Sequence, residues 1–141
     1  MKQTHGKIGW SNQYKVNIPT LDAQHKQLFN TYTDLNQALK EGLRPSVIKD
    51  TLDRLHLYVS RHFTMEEKYM RESGYPGLDQ QIKAHTYFST VFNEILGEFN
   101  SEGLTPGIVK KIQNELGQWL TDHVSELDME FGRFYSTIKK G

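Results

Sequence analysis

Residues 52–69 read LDRLHLYVSRHFTMEEKY, and this stretch decides the fold because its apolar side chains recur at alternating spacings of three and four residues. That spacing is typical of an amphipathic helix packed along one seam against other helices. Leu55 and Val59 occupy seam positions, and the next two positions are taken by His62 and Glu66. The pattern therefore predicts a long helix whose buried face changes from apolar to ionisable.

Turn residues divide the chain into four segments of this kind. The first ends at Gly42, the second ends in the run SGYP at 73–76, and the fourth opens at Thr105 and Pro106, an N-cap followed by proline. Short connections favour antiparallel neighbours, so we expect one all-α domain, residues 1–141, folded as an antiparallel up-down-up-down four-helix bundle. The helices are expected at about 21–40, 45–72, 78–100 and 106–138, after an extended arm over 1–19 that holds Trp10, Tyr14, Val16 and Ile18.

Polar side chains interrupt the apolar pattern on all four segments. They stand at or beside the seam at His25, His62, Glu66, Gln81, His85, His123 and Asp128. Burying so many ionisable groups is costly unless something binds them. Imidazoles mixed with carboxylates suit a transition metal, and the absence of sulfur favours iron. On the fourth segment the predicted seam runs through Val109, Ile112, Leu116, Trp119, His123, Leu127, Phe131, Phe134 and Ile138.

Composition limits the classes of function. The chain has 141 residues with 17 basic and 17 acidic side chains, so its formal net charge is zero and no nucleic-acid or membrane-surface partner is expected. It contains no cysteine, which excludes disulfides, thiolate metal sites and cysteine nucleophiles. Residues 1–10 lack an apolar signal run, and no stretch approaches the ~20 apolar residues of a membrane span. A cytoplasmic location is therefore expected.

Helical spacing predicts how the polar residues meet. His62 and Glu66 are four residues apart, so they project side by side into the bundle. His123 and Asp128 are five apart, about 140° on an ideal helix. Asp128 therefore either reaches inward from the flank of its helix, or the helix is locally widened there. Two carboxylates among four histidines favour two metal ions, because carboxylates bridge metals whereas neutral imidazoles bind terminally.

With these residues in place, the chain resembles the hemerythrin family, in particular its single-domain bacterial members, the bacteriohemerythrins. The resemblance covers nearly the whole chain, and the order and spacing of its motifs make it specific. The motifs are LDAQHKQLF with His25, HFTMEE with His62 and Glu66, KAHTYF with His85 and Phe88, and WLTDHVSELD with Trp119, His123 and Asp128.

The resemblance implies a non-heme diiron centre that binds O2. Two iron ions would be bridged by an oxo or hydroxo group and by the carboxylates of Glu66 and Asp128. The implied terminal ligands are His25 and His62 on the iron that keeps an open position, and His85 and His123 on the other iron.

Gln81 departs from the family pattern, in which the third helix carries HxxxH, because this chain reads QxxxH at 81–85. An amide oxygen is a weaker and neutral donor compared with an imidazole. Three outcomes stay open: Gln81 ligates iron through its oxygen, a water molecule fills the place, or part of the iron is lost. A polar core residue that hydrogen-bonds its neighbours is the alternative to a ligand.

The expected function is that of an O2-binding protein without catalytic residues. Its apolar wall around O2 is expected to consist of Leu28, Phe63, Trp119 and Leu120. The alternative is a diiron enzyme or redox protein that acts on peroxide or nitric oxide, because Gln81 replaces a histidine. A sensor or an iron store is a third possibility, and a sensor would signal only through a partner protein. The sequence does not identify a physiological partner or reductant.

Overall fold

The structure is a computed structural model that describes residues 12–140, and the predicted arm residue Trp10 lies outside the described residues. The chain forms α1 (Pro19–Lys40), α2 (Pro45–Ser73), α3 (Leu78–Glu102) and a long α4 over residues 106–140. No strand occurs within this range, so the all-α prediction is confirmed. None of the helices in the described part of the chain is long and apolar enough to cross a membrane.

The arm before α1 is anchored to the bundle and is not extended throughout. Asn12–Tyr14 form a single 3-10 turn, and Tyr14 stacks on Phe29 with ring centroids 5.1 Å apart. Val16 is buried, and its backbone N–H donates a 2.7 Å hydrogen bond to the Asp22 carboxylate. These contacts tie the arm to the first turn of α1.

Proline, threonine and glycine set the helix boundaries close to where the sequence predicts them, although α1 begins at Pro19, inside the predicted arm. Pro19 and Pro45 stand in the first turns of α1 and α2. The Thr105 hydroxyl accepts a 3.2 Å hydrogen bond from the backbone N–H of Ile108 and so caps α4. Gly74 ends α2 with φ 69°, a left-handed conformation that residues with a side chain rarely adopt.

Side-chain contacts between neighbouring helices show that the helices are antiparallel. In every neighbouring pair, residue numbers rise along one helix as they fall along the other. The contacts are Gln24–His62 and Thr20–Tyr69 between α1 and α2, Glu67–His85 and His56–Phe92 between α2 and α3, His85–His123 and Glu98–Lys111 between α3 and α4, and His25–Asp128 and Asn36–Gln113 between α1 and α4.

Two apolar clusters fill the bundle, with the polar seam residues between them. The large cluster includes Leu28, Leu52, Phe63, Phe88, Phe92, Leu116 and Leu120. The small cluster consists of the buried residues Val16, Ile18, Leu21, Met70, Tyr75 and Phe131. On α1, for example, His25 stands between Leu21 of the small cluster and Leu28 of the large one. We call the intervening set the polar layer; its members are His25, His62, Glu66, Gln81, His85, His123 and Asp128.

The buried face of α4 departs from the predicted seam. The predicted seam includes Leu127, which is only partly buried, and Ile138, which is exposed. It omits Leu120 and Val124, which are buried. The prediction is wrong at these four residues. The reason is that α4 contains two π-helical segments, Ile112–Gly117 and Val124–Asp128. A π-helix is wider than an α-helix, so a spacing of four residues stays on one face. The buried series is Ile108, Ile112, Leu116, Leu120, Val124 and Asp128.

A contact from α1 supports the first π segment. The Tyr32 hydroxyl donates a 3.3 Å hydrogen bond to the backbone carbonyl of Gln113, so an oxygen in the widened turn is paired. The same hydroxyl lies so close to Gly117 that a Cβ there would collide with it. Glycine is therefore needed where Tyr32 approaches the backbone of α4.

Candidate metal centre

The polar layer brings together all the residues that the sequence predicts for a metal site. α1 supplies His25, α2 supplies His62 and Glu66, α3 supplies Gln81 and His85, and α4 supplies His123 and Asp128. All are buried, and the most exposed of them, His123, has 5% of its surface accessible. Every helix therefore contributes to one water-poor site in the middle of the bundle.

The ligand atoms of the layer divide into two groups that share both carboxylates. The first consists of His25, His62, Glu66 and Asp128, and the second of Glu66, His85, His123 and Asp128. Within each group the ligand atoms lie within 4.8 Å of one another. We call these groups the first and second positions. Each combines two imidazoles with two carboxylates.

Glu66 faces the two positions with different oxygens. Its Oε2 lies 3.6 Å from His25 Nε2 and 3.4 Å from His62 Nε2. Its Oε1 lies 3.0 Å from His85 Nε2 and 4.0 Å from His123 Nε2. A carboxylate oriented in this way presents one oxygen to each of two cations.

Asp128 repeats this arrangement from the opposite side of the bundle. Its Oδ2 lies 3.0 Å from His25 Nε2 and 3.9 Å from His62 Nε2. Its Oδ1 lies 3.2 Å from His123 Nε2 and accepts a 3.1 Å hydrogen bond from Gln81 Nε2. Both carboxylates are thus shared between the same two pairs of imidazoles.

The second π segment of α4 brings Asp128 into the layer. Val124–Asp128 follows His123 directly, and both His123 and Asp128 are buried. In a π-helix, residues five apart are hydrogen-bonded neighbours along the helix, so they share a face. Of the two alternatives that the sequence leaves open, local widening of the helix is therefore the one observed. Single π turns inside α-helices are frequent at functional sites.

Several buried atoms in the layer have no hydrogen-bond partner within residues 12–140. They are His25 Nδ1, His62 Nε2, Glu66 Oε2 and Gln81 Oε1. An unpaired buried polar atom is costly, and His62 Nε2 and Glu66 Oε2 face each other across 3.4 Å at the first position. A cation held by these atoms would satisfy both. Imidazole and carboxylate donors are the set that suits iron, so the residues present fit a pair of iron ions.

Two side chains outside the layer orient its histidines, and sequence reasoning missed both. His62 Nδ1 donates a 2.9 Å hydrogen bond to the amide oxygen of Gln24, and His85 Nδ1 donates a 2.7 Å hydrogen bond to the Glu67 carboxylate. Because each Nδ1 carries the proton, Nε2 of the same ring is free to bind a metal. The available signal was position: Gln24 precedes His25, and Glu67 follows Glu66.

Burial and ionic contacts together set the charges of the layer. Burial and the Asp128 carboxylate oppose ionisation of Glu66, but nearby imidazoles, led by His62, outweigh them and lower its pKa to about 2. Burial also opposes ionisation of Asp128, yet His123 and other imidazoles hold its pKa well below its usual value. Burial disfavours a charged His25, but the two carboxylates raise its pKa to about 9. The carboxylates therefore stay ionised, and positive charge must accompany them.

Two members of the predicted apolar wall, Phe63 and Trp119, lie against histidines of the second position. The Phe63 ring stacks on His85 with centroids 3.8 Å apart, and Trp119 stacks on His123 with centroids 4.4 Å apart. Leu28 and Leu120 are buried in the large cluster beside them. Leu28, Phe63 and Leu120 thus belong to one apolar cluster, and the partly buried Trp119 packs against it.

Comparison with known proteins points to one family. Residues 16–135 match the family model described as the hemerythrin HHE cation binding domain. The chain is 26% identical over 122 residues to a myohemerythrin of Theromyzon tessulatum, across 86% of this chain and 88% of the relative. It is 25% identical over 120 residues to a bacteriohemerythrin of Campylobacter jejuni, across 85% and 89%. A bacteriohemerythrin of Stenotrophomonas maltophilia is 23% identical over 122 residues, across 86% and 77%.

Proposed function

The chain belongs to the hemerythrin family, and on that premise we propose that its polar layer holds two iron ions and binds O2. At the family level, a hemerythrin domain implies a non-heme diiron centre with O2 as its ligand. The observation that carries the proposal for this chain is that two carboxylates are each shared between the two positions. Glu66 and Asp128 each turn one oxygen to the first position and the other oxygen to the second.

Each side chain of the layer has a role under this proposal. Glu66 and Asp128 would both hold the two ions, because each offers an oxygen to both positions. The terminal ligands are His25 and His62 at the first position, and His85 and His123 at the second. Gln24 and Glu67 hold two of these imidazoles in the orientation that directs Nε2 inward.

The surroundings of the layer favour binding over turnover. When present, the iron ions supply the electrons and the open coordination that O2 binding needs. Leu28, Phe63, Trp119 and Leu120 exclude water from the layer, and water would promote irreversible oxidation of the site. Whether the bound O2 is stored, delivered or sensed depends on partners outside this chain.

Metal analysis combined with optical spectroscopy tests this function. Protein reduced without air is exposed to O2 and then returned to an O2-free atmosphere. We expect two irons per chain and an O2-dependent charge-transfer band that disappears when O2 is removed. The variant Glu66→Ala, which lacks one shared carboxylate, serves as the control and should show no such band. Absence of iron from the wild-type protein would contradict the proposal.

Redox chemistry on peroxide or nitric oxide is the second candidate function. The observation that favours it is Gln81, an amide beside the second position in place of a further imidazole. With a weaker donor there, an iron ion held at the second position would be more acidic and easier for a substrate to reach. Sustained consumption of peroxide in the presence of an electron donor, at a rate that Gln81→His lowers, would support this function over O2 binding.

A further inference from the structure

Gln81 is a buried amide with one paired and one unpaired end. The side chain is 1% exposed and projects from α3 one turn before His85. Its Nε2 donates a hydrogen bond to Asp128 Oδ1 across 3.1 Å. Its Oε1 finds no hydrogen-bond partner in the described part of the chain. The contact with Asp128 is therefore what determines how this amide is oriented.

The chemistry of the contact favours the observed orientation. An ionised carboxylate accepts hydrogen bonds and has none to donate. Turning the amide over would bring Oε1 to within about the same distance of Asp128 Oδ1, so that two acceptors would face each other. A hydrogen bond to a charged acceptor is roughly twice as strong as a neutral one. Asp128 thus selects the orientation in which Gln81 acts as a donor.

A hydrogen bond that orients the Asp128 carboxylate affects both metal positions. Its two oxygens are divided between the first and the second positions. It also lies at the end of a π segment, where its approach depends on a widened turn of α4. A side chain that fixes the plane of this carboxylate therefore acts on both positions together.

We propose that Gln81 is a positioning residue that holds Asp128 in its bridging orientation by a hydrogen bond and does not itself bind metal. The proposal rests on the diiron function proposed above. It means that the protein donors at each position are two imidazoles and the two shared carboxylates. The second position is then open to a small added ligand in the place where a third imidazole would stand.

Iron release to a chelator separates a positioning role from a ligand role. The iron-loaded variant Gln81→Leu keeps a side chain of similar size but has neither the donor nor the oxygen. We expect it to bind two irons per chain and to release both roughly tenfold faster than the wild type, because Asp128 is shared. A variant that holds one iron, or that releases one iron faster and the other at the wild-type rate, would overturn the proposal. The matched control is Gln80→Leu, at the exposed neighbouring position.

Adding an imidazole tests the same idea from the other direction. Gln81→His supplies a donor to the second position alone but loses the hydrogen bond to Asp128. The iron at the second position should therefore be released more slowly than from Gln81→Leu, and the other iron about as fast as from Gln81→Leu. The control Gln80→His places the imidazole on the exposed surface and should change neither rate. Release of both irons from Gln81→His as fast as from Gln81→Leu would overturn the view that the second position has room for another donor.

The melting temperature of the metal-free protein tests the positioning role of Gln81 separately from the diiron function. In metal-free protein, Gln81→Leu should lower the melting temperature relative to Gln80→Leu, because Asp128 loses a buried donor. A residue that served only as a metal ligand would leave that temperature unchanged, and this result would overturn the positioning role. A wild-type protein that binds no iron but shows the expected melting difference would overturn the diiron function and retain the hydrogen bond.

Discussion

The two positions of the metal centre combine the same kinds of donor with different surroundings. At the second position, both imidazoles have an aromatic ring stacked on one face: Phe63 on His85 at 3.8 Å, and Trp119 on His123 at 4.4 Å. At the first position, the rings of His25 and His62 meet edge to face, with centroids 4.4 Å apart and an interplanar angle of 67°. Stacking restrains a ring in its plane, whereas an edge contact leaves it more freedom to tilt.

The hydrogen bonds made by the Nδ1 atoms of the histidines also restrain the second position more than the first. His85 at the second position donates to the carboxylate of Glu67 across 2.7 Å. His62 at the first position donates to the neutral amide of Gln24 across 2.9 Å, and His25 Nδ1 has no partner among the residues described. A charged acceptor orients a histidine more firmly than a neutral one.

The two positions therefore have the same set of donor groups, but the contacts that hold their imidazoles in place differ. We expect the second position to hold its ion more tightly, and the first position to exchange ligands more readily. We therefore expect O2 to bind on the side of His25 and His62, because the imidazoles there adjust at lower cost when a ligand enters.

The largest expected effect comes from a residue that belongs to both positions. Glu66→Ala should reduce iron from two per chain to nearly none, because each ion loses a shared oxygen and the imidazoles lose a buried counter-charge. Elemental analysis of the purified protein measures this. Glu67→Ala, one residue along α2, is the control and should retain iron at the first position. A Glu66→Ala protein that kept one iron would show that the carboxylate serves a single position.

Removal of iron should have the next largest effect, on stability. Ligand present at a thousand times its dissociation constant adds about 4 kcal/mol, so the metal-free protein should melt about 10 °C or more below the loaded one. Thermal unfolding followed by circular dichroism measures this difference. Hydrogen exchange should rise more around His25 than around His85, where Phe63 still stacks on the ring. Equal changes on the two sides would contradict the proposed difference in support.

The outer hydrogen bonds should give a smaller and unequal effect. Glu67→Ala should weaken iron binding at the second position by roughly 10–100-fold, the usual range for such partners. Gln24→Ala should weaken the first position less, because a neutral acceptor is lost. Competition with a chelator, resolved into two binding constants, measures both. A larger loss from Gln24→Ala would mean that the first position has the firmer support.

Loss of one aromatic stack should have the smallest effect. Trp119→Leu removes the ring that covers His123, and such pairs contribute about 0.5–1.5 kcal/mol beyond the area they bury. We expect a several-fold faster release of the second iron. Phe92→Leu is the matched control, since Phe92 contacts His56 in the large cluster and lies apart from the ligands. It should lower the melting temperature and leave iron release unchanged.

Periodicity alone predicts much of this molecule. The same spacing that identifies Leu55 and Val59 as core residues also identifies His62 and Glu66 as buried, and the structure buries all four. This works because a helix in a bundle buries one stripe whatever residue types occupy it. Ionisable residues on that stripe are conspicuous, so the members of the polar layer that lie on a regular seam can be found without a structure. Asp128 is the exception, because it reaches the layer through a π segment.

The fourth helix shows where periodicity fails. A π turn changes the spacing of the buried face, and its formation depends on contacts from another helix, such as the hydroxyl of Tyr32 on the carbonyl of Gln113. The prediction for Leu127 therefore failed, although the neighbouring prediction for His123 was correct. Gln24 and Glu67 were missed for a related reason: single glutamine and glutamate residues are common on solvated helix faces, and the histidines they bind come from other helices.

The polar layer also sets the register of the four helices along the bundle. An apolar seam looks nearly the same at each turn, so a helix can slide by one turn, about 5.4 Å, and still bury similar side chains. The layer removes this freedom because it interrupts the apolar pattern at one level. Sliding α1 would place His25 in an apolar cluster and bring Leu21 or Leu28 against ionised carboxylates. Because its residues come from all four helices, the polar layer also fixes the position of each helix along the bundle axis.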